Sequence, residues 1–188
     1  LGSTRTLFEQ QNQKTCYELL RPKILAKEPL SLSLVQTIHR TLTEGTYDER
    51  RYITNGERPG AFKKHDYVTG KNEVGSPPEA VADDLTELIE EVNAIGAQAP
   101  LKAGAYFHAR FENIHPFADG NGRVGRTLLN YWLMINHYPP LVIYEEDRRA
   151  YYDALQTYDE QEDLAPLVTF LEEQTVKTWS RFLKPPAG

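Results

Sequence analysis

Apolar residues recur three and four apart through most of this chain, with glycine or proline at several of the breaks, and that spacing commits it to packed helices. Between Ser31 and Gly45 the stripe is Leu34, Val35, Ile38 and Leu42, with Gly45 as the stop. Ser76-Pro77-Pro78-Glu79 offers a cap, a proline at the first helical position and a glutamate three residues after the serine. Val81, Leu85, Leu88, Ile89 and Val92 then share one face up to Gly96. A third helix is predicted over about residues 101–112, where Ala103, Ala105 and Ala109 permit close packing in the middle of the fold. Val124, Leu128, Trp132 and Ile135 mark a fourth, which must stop before Pro139-Pro140. Asp147 reads as the cap of a fifth that carries Tyr151, Leu155 and Tyr158. The last, about residues 164–183, is expected to bury Leu167, Phe170, Leu171, Val176, Trp179 and Phe182.

Strand chemistry is confined to residues 61–75, where Phe62, Tyr67, Val68 and Val74 flank the turn residues Thr69-Gly70-Lys71-Asn72. One hairpin is too small to be stable alone, so it must lie on the helices or serve as a flap. The expected fold class is therefore mainly α, a compact helical core with a small β-hairpin flap. The 188 residues fit one domain, with the core at about 31–183 and a tail at 184–188. A net charge of −6 disfavours nucleic acid as a direct partner, because phosphate neutralisation needs a basic surface. No stretch approaches the roughly 18 apolar residues of a membrane span, and no signal peptide is visible. The single Cys16 cannot form an intrachain disulfide, which suits a cytoplasmic location.

The most informative stretch is 114–126, IHPFADGNGRVGR. Gly120, Gly122 and Gly125 have the spacing of a dinucleotide fingerprint, but the strand and the βαβ unit that give that fingerprint its meaning are absent. A P-loop is excluded because no Lys-Ser or Lys-Thr follows a suitable glycine spacing. What remains is a loop running into a helix near Arg123, with glycines that let backbone N–H groups approach an anion. Arg123 and Arg126 can clamp a polyphosphate, Asp119 offers a hard oxygen to Mg²⁺, and His115 can take a proton near neutral pH. Singly, each has an ordinary reading as a structural histidine, a turn, a cap or a solvated helix face. Together within twelve residues they are a wasteful way to build a turn. Zinc chemistry is not indicated, since His108 and His115 are seven apart with no HExxH or cysteine cluster.

Residues 115–126, HPFADGNGRVGR, match every position of the signature HPFx[D/E]GNGRxxR, and on them the chain resembles the Fic family (filamentation induced by cAMP) of nucleotidyltransferases. The resemblance extends over roughly four fifths of the chain and implies a helical core with a hairpin flap beside the active loop. It implies a protein adenylyltransferase, which moves AMP from ATP to a Ser, Thr or Tyr hydroxyl of a target protein and releases pyrophosphate. In that role His115 resembles the general base, Phe117 a buried anchor, and Asp119 the Mg²⁺ ligand. Gly120, Asn121 and Gly122 resemble the anion hole, and Arg123 and Arg126 the β- and γ-phosphate ligands. Tyr151 and Tyr152 match the adenine-side aromatics, although consecutive tyrosines on a helix face different ways. Asp159 stands near the position where many relatives carry an adenine-contacting Asn.

The resemblance further implies that Lys63, Lys64, His65, Asp66, Tyr67 and Val68 form a target-docking flap that pairs with an extended segment by strand addition. The three basic residues read most simply as a solvated, charged edge. Many relatives carry an inhibitory helix with the pattern [S/T]xxxE[G/N]. Here only Glu44-Gly45 and Glu112-Asn113 supply its final pair, with Arg40 and His108 four residues earlier, and neither fits. With Leu at position 1, the expectation is an inhibitory helix upstream or on a separate antitoxin, and an unrestrained chain able to modify itself. The rival readings are phosphoryl or phosphocholine transfer, AMP removal, and a non-catalytic nucleotide-binding module. Intact Gly122-Arg123 speaks against the first pair, the missing glutamate against AMP removal, and intact His115, Asp119 and Arg126 against the module.

Overall fold

A computed structural model describes residues 2–69 and 73–183. Its helices are α1 (Gly2–Leu25), α2 (Leu32–Thr43), α3 (Val81–Ile95), α4 (Pro100–Ile114), α5 (Asn121–Ile135), α6 (Arg148–Gln161) and α7 (Ala165–Leu183). α4 sits in the middle against α3, α5, α6 and α7, while α1 and α2 pack on each other and both reach α5. Phe107, Phe111 and Ile114 of α4 meet Val124, Leu128 and Leu129 of α5 in the core, with Ile38, Leu85 and Leu167 around them. Each such side chain contributes about 1.5–3 kcal/mol by leaving water. α4 and α5 approach closely at Gly104, where an added Cβ would come within 2.9 Å of Trp132 Cδ1. Trp132 Nε1 donates to the Pro100 carbonyl at 2.8 Å and fixes that contact.

The stripes predicted for α2, α3 and α5 are the buried faces observed. Ser31 caps α2 as its sequence position implies, accepting the Leu34 N–H at 3.0 Å. Two other predicted caps differ. The Ser76 hydroxyl donates to Asp84 at 2.6 Å, and a short 3₁₀ turn, Pro78–Ala80, leads into α3. Asp147 ends a 3₁₀ turn, and its carboxylate is taken by Gln174 and Lys177. α7 buries Leu167, Phe170 and Leu171, but Val176 and Phe182 are exposed and Trp179 is only partly covered. Its second half instead buries Gln174 and Thr178, which bond the chain at Tyr144 and Val142.

α1 was not anticipated, because its composition is polar and only Cys16 and Leu20 are buried apolar side chains. It is fastened through Asn12, whose amide donates to the carbonyls of Leu42 and Glu44 at 3.2 and 2.8 Å.

The predicted hairpin is not seen among the described residues, where pairing reduces to one antiparallel bridge between Thr69 and Glu73. Its turn, residues 70–72, lies outside them. The segment is held by side chains rather than by a ladder. Buried Glu57 accepts from the Lys64 N–H at 3.0 Å and from the Tyr67 hydroxyl at 2.5 Å. Lys63 corrects the expectation of a charged edge: it is 2% exposed. Its ammonium donates to the Val74 carbonyl at 2.8 Å and its N–H to the Pro116 carbonyl at 2.9 Å. Lys64, His65, Asp66 and Val68 are exposed. No described helix is long and apolar enough to cross a membrane.

Candidate active site

The end of α4, the six residues 115–120 that follow it and the start of α5 line a cleft of about 620 Å³. Its walls include His115, Asp119, Gly120, Asn121, Gly122, Arg123 and Arg126, together with Tyr67, Val68, Thr69, Tyr151 and Tyr152. α4 ends because His115 turns into the left-handed region at φ 53°, which aims its ring into the cleft. A non-glycine residue held there costs about 1–3 kcal/mol, so the surroundings must impose it. Gly75 contributes: a Cβ there would meet the Ile114 carbonyl at 2.5 Å, and only its absence lets Ser76 donate to that carbonyl at 3.0 Å.

The loop closes on Asn121. Its Oδ1 accepts from the Phe117 N–H at 2.9 Å and its Nδ2 donates to the Phe117 carbonyl at 2.7 Å. These two bonds fix the amide's orientation, so the nitrogen 3.3 Å from His115 Nε2 is a donor and Nε2 is the accepting, unprotonated atom. Burial and the charge of Lys63 push the His115 imidazole down to about 4, leaving it neutral with a lone pair on Nε2 at neutral pH.

Gly120 precedes α5 at φ 84°, where a Cβ would also strike Thr43, and no side chain caps the helix that follows. The first N–H groups of α5 therefore lack intrahelical partners and face the cleft beside Arg123 and Arg126. Asp119 places a carboxylate beside these N–H groups. In this structure Arg5 of α1 donates to its Oδ2 at 3.0 Å, and Arg123 lies 3.9 Å away and 3.7 Å from Glu9. Among the described residues no group of three His, Cys, Asp or Glu could hold a metal by itself.

The two tyrosines separate as their adjacency implies. Tyr151 is buried and donates to His108 Nε2, while Tyr152 is exposed with its ring 5.1 Å from that of Tyr151. Asp159 is not part of the lining and accepts from Asn113 at 3.3 Å. Lys63, Lys64, His65 and Asp66 also stand outside the lining.

Residues not singled out from the sequence complete the support. His39 of α2 is fully buried and stacks on Phe117 with ring centroids 3.7 Å apart. The Gly60 N–H donates to its Nδ1 at 2.9 Å, so Nε2 carries the proton and donates to the Asp119 carbonyl at 2.9 Å. Burial holds this imidazole neutral, down to about 4. Its place on the apolar face with Val35, Ile38 and Leu42 was the available signal. Glu112 lines the cleft as well, with its Oε1 buried and unpartnered. Arg5 and Glu9 gave no signal, because α1 has no apolar stripe.

Three comparisons bear on this geometry. The model of the Fic/DOC family matches residues 29–133. The protein adenylyltransferase Fic of Drosophila persimilis is 32% identical over 162 residues, covering 85% of this chain and 32% of that protein. The chain thus spans about a third of the length of such curated relatives. A Fic domain containing signaling protein from Bacteroides thetaiotaomicron superposes with a TM-score of 0.79 at 25% identity, covering 92% of this chain and 69% of that one. A Fic family protein from Desulfovibrio desulfuricans superposes with a TM-score of 0.67 at 26% identity, covering 100% and 57%.

Proposed function

Because the chain belongs to the Fic/DOC family, we propose that it is a protein adenylyltransferase that moves AMP from ATP to a Ser, Thr or Tyr hydroxyl. The observation that carries the reading is the meeting of a neutral His115, with an accepting Nε2, and the uncapped start of α5 in one cleft. The target hydroxyl displaces the long Asn121 contact and gives its proton to Nε2. Its oxygen bonds to the α-phosphorus as the bond to the β-phosphate breaks, and pyrophosphate leaves. Charge on the phosphates is met by the N–H groups of Asn121, Gly122 and Arg123 and by the Arg123 and Arg126 guanidiniums. Transfer of this kind asks the protein for position and charge more than for covalent help.

Asp119 supplies one hard oxygen next to those N–H groups, which fits a Mg²⁺ ion that takes its other ligands from phosphate and water. When bound, the ion neutralises phosphate charge. Tyr152, exposed in the lining of the cleft, offers a face for the adenine, and Tyr151 supports it from below. Residues 64–68, of which Tyr67 and Val68 reach the cleft, receive an extended target segment, and Lys63 anchors them. No serine or threonine stands four residues before Glu44-Gly45 or Glu112-Asn113, so the restraining pattern [S/T]xxxE[G/N] is not met in this sequence.

The test is incubation of lysate with the chain, ATP and Mg²⁺, followed by mass spectrometry. The expected result is a mass increase of one AMP on target hydroxyls, abolished in His115→Ala while ATP binding persists. Equal labelling by His115→Ala, or a different added group, sinks the reading.

A further inference from the structure

The reaction just described makes no use of Glu112. Glu112 lines the cleft from α4, and its Oε1 is buried with no hydrogen-bond partner. It rests over α5 at Gly125, where an added Cβ would come within 2.5 Å of that oxygen. The third glycine of the motif, which belongs to no dinucleotide unit here, thereby acquires a purpose: it makes room for a carboxyl. An unpartnered buried oxygen costs about 1–3 kcal/mol, so such a group calls for an explanation.

The groups around it come from three helices. α5 contributes Arg126, whose charge favours the carboxylate; α6 contributes Asp159, whose charge opposes it, and the Tyr151 ring. On α4 itself, His108 bonds Gly125 and Tyr151, and burial leaves it neutral, as it does His115. A charged Glu112 is at odds with this setting once a nucleotide arrives, because it repels phosphate and competes for Arg126. A protonated Glu112 does the reverse and offers an O–H donor.

We propose that Glu112 belongs to the anion site in its carboxylic-acid form, donating a hydrogen bond to the phosphate chain that Arg126 holds. The inference rests on the nucleotide reading above. Burial already raises this carboxyl to about 7, and an arriving phosphate raises it further. Above that range, binding moves one proton from solvent onto Glu112; below it, none. Binding is therefore tightest at low pH and weakens as pH rises through the free-state value.

The experiment is calorimetric titration of the full chain with ATP and Mg²⁺ at about pH 6, 7 and 8, in two buffers of different ionisation enthalpy. Wild type is expected to lose up to about tenfold in affinity per pH unit above about 7 and to take up as much as one proton per nucleotide. Glu112→Gln keeps a donor, so it shows a smaller slope, takes up correspondingly less, and binds up to about tenfold tighter than wild type near pH 8. The terminal phosphate's own last proton, with a pKa of about 6, is common to both proteins and acts with the opposite sign. Identical slope and proton uptake in the two proteins overturn the assignment and leave the nucleotide reading standing. Proton uptake by wild type alone decides the matter if the variant does not fold. Absence of ATP binding at every pH overturns both.

Discussion

The loop at 115–123 and the segment at 57–69, whose residues 67–69 line the same cleft, are held by different means. The loop is tied to the core: Phe117 is fully buried, His39 stacks on it, and Asn121 satisfies both of its backbone polar groups. The segment depends on two buried charged side chains, Glu57 and Lys63, and its outer residues are solvated. Under the proposed function, a site built this way would keep the phosphate chemistry on the buried loop and the target contacts on the solvated segment. The difference also explains why a strand ladder is unnecessary: the side-chain anchors of Glu57 and Lys63 hold the segment in its place.

Three changes would break or sharpen that contrast. Asn121→Ala strips two buried Phe117 groups of partners, and at about 1–3 kcal/mol each the expected loss is about 2–6 kcal/mol in denaturant unfolding. A loss below about 1 kcal/mol contradicts the view of the loop as part of the core. Glu57→Ala should cost less, about 1–2 kcal/mol, and act locally. Hydrogen exchange at Lys64 and its neighbours should rise at least about tenfold while residues 115–126 stay protected; a matching rise in both would erase the distinction. The smallest effect is expected from Arg5→Ala, which frees Asp119 from an exposed pair worth about 0.2–1 kcal/mol. Mg²⁺ binding to the ATP complex should tighten by up to about fivefold at low salt, and unchanged metal affinity would show that Arg5 does not compete there.

The same contrast governs what could be read from the sequence. Helical stripes and the 115–126 motif were legible because each follows from spacing along one element, as with Val81 to Val92 or His115 to Arg126. α1 was not, since it docks through Asn12 and two small apolar contacts rather than through a periodic face. Val68 and Val74 carry strand propensity, but tertiary bonds from Glu57 and Lys63 override it. The far half of α7 misled for a related reason, because its buried partners are the polar Gln174 and Thr178. Glu112 and His39 were visible as residues but not as functions, since their meaning lies in Gly125, Gly60 and the Asp119 carbonyl, all distant in sequence.

Lys63 joins the two walls mechanically. Its backbone is pinned to Pro116, the residue after His115, and its ammonium is buried close enough to help hold the imidazole neutral. A pull on residues 64–68 is a pull on this pin. Under the proposed function, a target segment seated on residues 64–68 would therefore act on a pin whose other end rests beside His115.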